Sequence, residues 1–394
     1  MPLSDNLKSV VLRTIDSISE GLIDLATHIH EHPEIAFREV QASQLLVETL
    51  RRHGFATELG VTDLPTAFRA ELSGRADGPT VAFLAEYDGL PEIGHACGHN
   101  LICTAALGAG IGLASVMNEL SGKVVILGTP AEEHGGGKVL MLERGAFRAV
   151  DAAIMFHPGN ATLLATGSLA SYRLKVEFLG KAAHAAAAPF EGINALDALV
   201  QMFVNLGLLR QQLRDDARVH GIITYGGAAP NIIPDRAEAT FSIRATDREY
   251  AAVVLEKVIK CGRAGAEATG CAFKFESAKG YDALRSNGPM AGAFGHHLND
   301  LGWTVDPIPA KPRMGSTDMG DVSQAVPAVQ PFVKIADNVA WHTVEFREAA
   351  RAEQGMRAML IAAKAMALTG FDYLTDQNFR EEVQLDFQDK REEQ

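Results

Sequence analysis

The sequence predicts an α/β protein with a mostly parallel sheet, helices on both faces of that sheet, and a second, smaller α+β domain. Three short apolar runs, 81–85, 124–127 and 152–156, alternate with helical stretches. Strand–helix–strand alternation is typical of a parallel sheet with right-handed crossovers. From Tyr172 onward, apolar and polar residues alternate strictly, which is typical of antiparallel strands with one exposed face.

The alternating segment follows a β-α-β-β-α-β order, which is the order of a ferredoxin-like split unit. Its two helical stretches cover residues 194–214 and 249–268. We therefore expect an inserted domain over residues 170–284. The first domain is then formed by residues 1–169 and 285–394.

Composition and charge exclude several kinds of partner. The chain has 394 residues and a net charge of −13, with no cluster of Lys and Arg, so no nucleic-acid partner is expected. No segment reaches the roughly 18 apolar residues of a membrane span, and the N-terminus lacks the apolar segment of a secretory signal. Four scattered cysteines do not suggest a disulfide framework. These features predict a cytoplasmic protein without a membrane partner.

Residue types that bind metal ions follow the first apolar run. Cys97 and His99 stand at the start of a predicted helix over 101–120. A thiolate and an imidazole both bind Zn²⁺-type ions, and the glycine between them permits a tight turn. A buried cysteine is more often a small hydrophobic residue, so this pair needs support from other ligand types.

Two further strand ends supply such support. Glu132 and Glu133 follow the second apolar run, and His157 follows the third. Because functional groups gather beyond the carboxyl ends of parallel strands, we expect these side chains to lie close together. Of two adjacent buried carboxylates, one can ligate a metal ion while the other acts as a general base. On spacing alone, His342 stays undecided.

Taken together, the motifs resemble the aminoacylase/carboxypeptidase family of metal-dependent amidohydrolases, which is metallopeptidase family 20. The resemblance is carried by HACGHN, TPAEEHGGG, FHPG, GKAAHAAAAPFEGINALDAL, NIIPD and GSTDMGDVS, and it extends over nearly the whole chain. Within the family, the sequence is similar to the branch with Cys and His ligands, which contains hippurate, auxin-conjugate and aminobenzoyl-glutamate hydrolases. AEYDGLP with CGHN looks most like the sub-branch of β-alanyl-lysine or Xaa-Arg dipeptidases.

The resemblance implies a zinc-peptidase-like catalytic domain with two divalent metal ions per chain, Zn²⁺ first and Mn²⁺ as the alternative. It implies Glu132 as the general acid/base. The implied metal ligands are Cys97, His99, Glu133, His157 and His342.

The same resemblance implies that the inserted domain is a lid that also forms a homodimer. His184 in this domain is similar to the histidine that stabilises the tetrahedral oxyanion. Asn231 and Arg244 match positions that hold the carboxylate side of the substrate.

Two positions depart from the pattern common in the family. Asn100 follows the CGH motif where many relatives have Asp. Glu86 opens the sequence Glu86-Tyr87-Asp88 where many relatives have D-M-D.

The predicted function is hydrolysis of an amide bond in a small-molecule substrate, a dipeptide or an N-acyl amino acid, by metal-activated water with a glutamate base. Two alternatives stay open. One is hydrolytic deamination of a small aminoaromatic or other non-peptide substrate at the same site. The other is a non-catalytic metal-binding or regulatory protein, which the presence of a base and a full set of ligand types disfavours.

Overall fold

A computed structural model describes residues 3–309 and 314–392 of the chain. The chain divides into two compact units. The first unit comprises Met1–Gly167, Leu284–Met314 and Asp318–Gln394, and the second comprises Ser168–Ala283 and Gly315–Thr317.

The elements of the described residues are numbered in chain order. The helices are α1 (Leu3–Ser17), α2 (Ser19–Glu31), α3 (Val40–Arg52), α4 (His99–Ala114), α5 (Gly137–Glu143), α6 (Ala195–Leu209), α7 (Arg248–Thr269), α8 (Gly288–Asp300), α9 (Met319–Ala325), α10 (Val344–Ala349), α11 (Glu353–Thr375) and α12 (Gln377–Glu392). The strands are β1 (Ala56–Leu59), β2 (Phe68–Ser73), β3 (Thr80–Glu86), β4 (Lys123–Thr129), β5 (Ala152–Ile154), β6 (His157–Gly159), β7 (Ala170–Leu179), β8 (Arg218–Tyr225), β9 (Arg236–Ala245), β10 (Ala272–Lys279), β11 (Ala328–Val329) and β12 (Phe332–Lys334).

A six-stranded sheet with the order β1-β2-β4-β3-β5-β11 forms the centre of the first unit. The strands β4, β3, β5 and β11 are parallel, whereas β2 is antiparallel to both of its neighbours. β3 is buried along its whole length, as expected for an apolar strand covered on both faces. The predicted α/β fold is confirmed. The antiparallel pair β1–β2 has no counterpart in the prediction, because β1 is a short, mostly exposed strand without alternation.

The third predicted strand, 152–156, is divided in two. β5 stays in the large sheet, while β6 pairs with β12 in a separate two-stranded sheet. The segment that pairs with these strands is divided at the same level, into β11 and β12. At this level the N–H of Met155 donates to Val329 O at 3.1 Å, and the N–H of His157 donates to Pro331 O at 2.9 Å. The prediction that His157 ends this strand is therefore wrong in detail, since His157 begins β6.

α4 is the central helix of the first unit, and its residues from His99 to Leu113 are buried. A helix that is apolar all round belongs in a protein core. Glycines allow its close contacts, because a Cβ at Gly112 would lie 2.6 Å from Cγ1 of Ile15 in α1. The helix is shorter than the predicted 101–120, and a 3₁₀ turn over Met117–Glu119 follows it.

The second unit contains a four-stranded antiparallel sheet with the order β10-β7-β9-β8. The helices α6 and α7 share a core with the alternating buried residues of β7 and β9. This order is that of a ferredoxin-like unit, so the predicted fold of the inserted segment is confirmed. Among the described residues, no helix combines the length and apolar character that crossing a membrane requires.

Candidate metal centre

The candidate site lies in the first unit, at the carboxyl ends of three neighbouring strands. β3 ends at Glu86 and is followed by Asp88. The loop after β4 carries Glu132 and Glu133, and β6, which follows β5, begins with His157. Because β4, β3 and β5 are adjacent and parallel, their ends lie at the same edge of the sheet.

Cys97 and His99 reach this edge from the turn before α4. Gly98 between them has a left-handed backbone with φ of 80°. A Cβ at this position would lie 2.5 Å from Cγ of Pro158. Glycine satisfies both constraints, so the turn that presents the thiol and the imidazole depends on it.

His342 brings the C-terminal part of the chain to the same place. Its N–H donates to Ala96 O at 3.0 Å, and its φ of 63° is unusual for a residue with a side chain. Nε2 of His342 lies 3.3 Å from Oε1 of Glu133. Strained backbone of this kind is common at functional sites, where the surrounding structure holds it.

The structure brings these side chains into overlapping groups whose ligand atoms lie within 4.8 Å of one another. The groups are Cys97 with His99 and His157, Cys97 with Glu133 and His342, and His99 with Glu132 and Glu133. All six side chains that the sequence nominates in the first domain are therefore neighbours.

The ring nitrogens of two histidines are sorted by their partners. Nδ1 of His99 lies 3.0 Å from Oδ1 of Asp88, and Nδ1 of His157 lies 2.8 Å from Pro158 O. Engaging Nδ1 fixes the ring and leaves Nε2 for a ligand. In His157 this Nε2 faces Sγ of Cys97 at 3.5 Å. In the sequence, the position of Asp88 directly after a buried strand is the one feature that indicates this orienting role.

One buried atom supports the fit of the donor set to a cation. Nε2 of His99 is buried and makes no hydrogen bond to the described residues, although oxygens of Glu86 and Glu133 lie 3.2 and 4.0 Å away. Buried polar atoms without a partner are rare, because leaving them unsatisfied costs free energy. A thiolate, imidazoles and carboxylates are the donors that Zn²⁺-type ions take, so these residues fit the implied metal ions.

Burial and mutual repulsion set the protonation of the site. Burial, with added repulsion from Glu86 and Asp318, raises the pKa of Glu132 well above its usual value. Burial lowers the pKa of His157 to about 4, so its ring is neutral, the form that binds metals. Burial also raises the pKa of the Cys97 thiol, which a bound cation would reverse.

A buried ion-pair network adjoins the donor groups. Nζ of Lys138, in the first turn of α5, lies 2.5 Å from Oε2 of Glu86 and 2.7 Å from Oδ1 of Asp318. The backbone N–H of Lys138 donates to the second oxygen of Asp318 at 3.0 Å. Sequence reasoning missed this network, since the only local signal is a charged residue in the otherwise apolar run after GGG.

The remaining nominated residues belong to the second unit. Nδ1 of His184 accepts from the N–H groups of Ala186 and Ala187 at 3.3 and 3.2 Å. The carbonyl of Asn231 accepts from the N–H of Ala185 at 3.0 Å, so Asn231 lies beside the His184 turn. Arg244 is exposed on β9, where its strand partner on β8 is Arg218.

Comparison with known proteins identifies the family. The M20 peptidase dimerisation domain matches residues 165–268. The Xaa-Arg dipeptidase of Mus musculus is 39% identical over 404 residues, which cover 98% of this chain and 94% of that protein. The chain belongs to the M20 peptidase family. This M20 protein is also 29% identical to a p-aminobenzoyl-glutamate hydrolase protein of Escherichia coli (strain K12), over 95% of this chain and 93% of that one.

The fold agrees with M20 structures. A dinuclear metal-binding peptidase of the M20 family from Bacillus subtilis superposes with a TM-score of 0.70 at 23% identity, covering 88% of this chain and 98% of that chain. Together with the dipeptidase relative and the dimerisation-domain match, this similarity confirms the predicted family, fold and reaction class. This M20 protein is an enzyme of metal-dependent amide hydrolysis, which acts on C–N bonds.

Proposed function

We propose that this M20 enzyme hydrolyses the amide bond of a dipeptide or N-acyl amino acid at a centre with two divalent ions. One observation carries the proposal: Cys97 belongs both to a Cys–His–His group and to a Cys–Glu–His group of donors. A thiolate shared by two such groups allows two ions to bind side by side. The proposed ligands are Cys97, His99, Glu133, His157 and His342. Thiolate and imidazole donors favour Zn²⁺, with Mn²⁺ as the alternative.

Ions held there would lower the pKa of a water molecule and polarise the carbonyl of the substrate. Glu132 acts as the base that takes a proton from the attacking water and passes it to the leaving amine. Burial raises its pKa, which favours delivery of the proton to the leaving amine. The loop that carries Glu132 is anchored by a hydrogen bond, because the N–H of Ala131 donates to the buried carboxylate of Glu39 at 2.9 Å.

We assign stabilisation of the oxyanion to His184, in the unit proposed as lid. Since Nδ1 of His184 accepts two backbone N–H groups, the neutral ring carries its proton on Nε2. The side chain is exposed on its unit, so this donor is available to a substrate. One such donor contributes about 3 kcal/mol to stabilising the transition state.

The substrate carboxylate is assigned to Arg244 and Asn231, which both belong to the second unit. Arg244 stands directly opposite Arg218 on the neighbouring strand, and like charges in that position are destabilising unless an anion balances them. A carboxylate of the substrate would supply that anion. The similarity to an Xaa-Arg dipeptidase supports a dipeptide as the substrate. A dipeptide has a free carboxylate at its C-terminus.

We propose that the second unit forms a homodimer. The outer face of α6 exposes Val200, Val204 and Leu208, and the edge strand β8 exposes Ile222 and Ile223. Long apolar edge strands are normally covered, and a second copy of this chain is the partner that the dimerisation-domain match supports. We place this dimer in the cytoplasm, which the four unpaired cysteines favour.

Metal content and turnover of matched variants test the proposal. The wild type should hold close to two ions per chain and release amine from dipeptides or N-acyl amino acids. Glu132→Gln should keep its ions but lose about 10²- to 10⁴-fold in kcat, because the base is removed. Cys97→Ser should lose both ions and activity. Cys261→Ser, at a half-buried cysteine of α7, is the control and should change neither.

Three outcomes would contradict the proposal. A wild type without bound metal would refute the ligand set. Full turnover by Glu132→Gln would remove this residue as the base. Release of ammonia from aminoaromatic compounds, with no cleavage of any dipeptide or acyl amino acid, would favour the deaminating alternative.

A further inference from the structure

We propose that Lys138 is a positioning residue of the metal centre and acts through Glu86 on His99. The inference rests on the proposed function, because it takes His99 as a metal ligand. Lys138, Glu86 and Asp318 are all fully buried. Nζ of the lysine contacts one oxygen of each carboxylate, at 2.5 and 2.7 Å.

A network of this kind is costly as a scaffold. Taking three charged groups out of water opposes folding, and well-packed apolar residues often replace such networks without loss of stability. Packing alone therefore does not account for a charged lysine among these carboxylates. Its place beside the candidate metal ligands does account for it.

Glu86 connects the lysine to the candidate ligands. Its Oε2 is bound by Lys138, whereas its Oε1 lies 3.2 Å from Nε2 of His99. That nitrogen is buried and has no hydrogen-bond partner among the described residues, and Glu86 lies closer to it than Glu133 does, at 4.0 Å. Nδ1 of His99 is held by Asp88, so Glu86 faces the ring on the side that is left for a metal ion.

The position of Lys138 is itself determined by several contacts. Asp318 binds both its ammonium and its backbone N–H. The preceding residue, Gly137, is pressed against the loop after β4, since a Cβ there would lie 1.8 Å from Pro130 O. Lys138 is thus fixed relative to the strand end that carries Glu86 and to the loop that carries Glu132.

Removal of the ammonium would leave Glu86 and Asp318 buried without their cation. Glu86 would then no longer be held in one orientation against His99. Because substitutions of groups that orient metal ligands lower metal affinity by about 10- to 100-fold, we expect a loss of that size in Lys138→Met.

The test uses Co²⁺ as the probe, bound to the full chain after removal of other metals. Affinity is measured by competition with a chelator, and the visible spectrum of Co²⁺ reports its coordination geometry. Lys138→Met and Glu86→Gln should each bind about 10- to 100-fold more weakly with an altered spectrum. Lys138→Arg, which keeps the charge, should recover part of the affinity. Lys364→Met is the control, because Lys364 pairs with the exposed Asp16 in the same unit.

A double-mutant cycle decides whether Lys138 acts through Glu86. In the Glu86→Gln background, Lys138→Met should cause no further loss, whereas two independent losses would overturn the inference. Wild-type affinity and spectrum in Lys138→Met would also overturn it. If Lys138→Met does not fold, unchanged Co²⁺ binding by Glu86→Gln would overturn the inference instead. A wild type that binds no Co²⁺ would refute the proposed function itself, and the inference with it.

Discussion

Asn100 shows how a residue beside the candidate ligands can serve the scaffold. Its Nδ2 donates to Ala26 O at 3.2 Å and to Ala350 O at 3.1 Å, and the side chain is fully buried. These bonds join the first turn of α4 to α2 and to the end of α10. The amide nitrogen of Asn100 therefore joins helices of the scaffold, while Oδ1 is buried without a hydrogen-bond partner among the described residues.

We expect Asn100→Asp to destabilise the first unit. The substitution places a carboxylate oxygen against two carbonyl oxygens and leaves both acceptors without a donor, at a cost of about 3 kcal/mol. Denaturant unfolding measures this free energy. Asn299→Asp, at an exposed position of α8, is the control and should change it by less than about 0.5 kcal/mol. Equal stability of the two variants would show that the amide of Asn100 is not a required donor.

At the scale of elements, the turn into α4 determines where two candidate ligands lie. Local sequence predicts this turn, because a glycine between two ligand types suits a left-handed backbone. The approach of Pro158 to Gly98 is a separate constraint that depends on β6, and β6 is defined by its pairing with β12. Two constraints at one glycine make the turn sensitive to substitution.

Comparison of Gly98→Ala with Gly54→Ala separates these constraints. Both glycines have positive φ, 80° and 85°, but the surroundings of Gly54 are open. Gly54→Ala should cost about 1–2 kcal/mol for the backbone alone and leave metal binding unchanged. Gly98→Ala should cost more and weaken metal affinity at least about tenfold, because the clash moves Cys97 and His99. Metal titration and thermal unfolding measure the two effects. Equal metal affinity and equal stability of the two variants would contradict the expectation.

At the scale of the whole molecule, the exposed apolar residues of the second unit favour association with another chain. Ile222 on the edge strand is 65% exposed, and Leu208 on α6 is 63% exposed. Apolar residues of this size on an edge strand favour association. Formation of a dimer would remove them from water.

Sedimentation of the wild type should give twice the mass of the chain. Ile222→Lys should weaken the dimer at least about tenfold, because charge on an edge strand opposes pairing. Leu385→Lys, at an exposed apolar position of α12, is the matched control and should remain dimeric. A monomeric wild type, or a dimer that tolerates Ile222→Lys, would contradict the proposed interface.

The sequence by itself determined the fold class and the local shape of the motifs. Apolar runs specified β3 and β4, alternation specified β7 and β9, and the H-A-C-G-H segment specified a turn into α4. These features are readable because periodicity and backbone conformation depend on near neighbours. Strand ends of a parallel sheet share one edge, so the gathering of Glu132, Glu133 and His157 followed as well.

Only the tertiary structure decided which side chains face the candidate site. Lys138 meets Asp318 across 180 positions of the sequence, and the side chain of Asn100 contacts carbonyls that lie 74 and 250 positions away. No local pattern encodes such pairs, because they arise when buried polar groups find partners among distant elements. The same holds for β6, whose start at His157 depends on a strand near the other end of the chain.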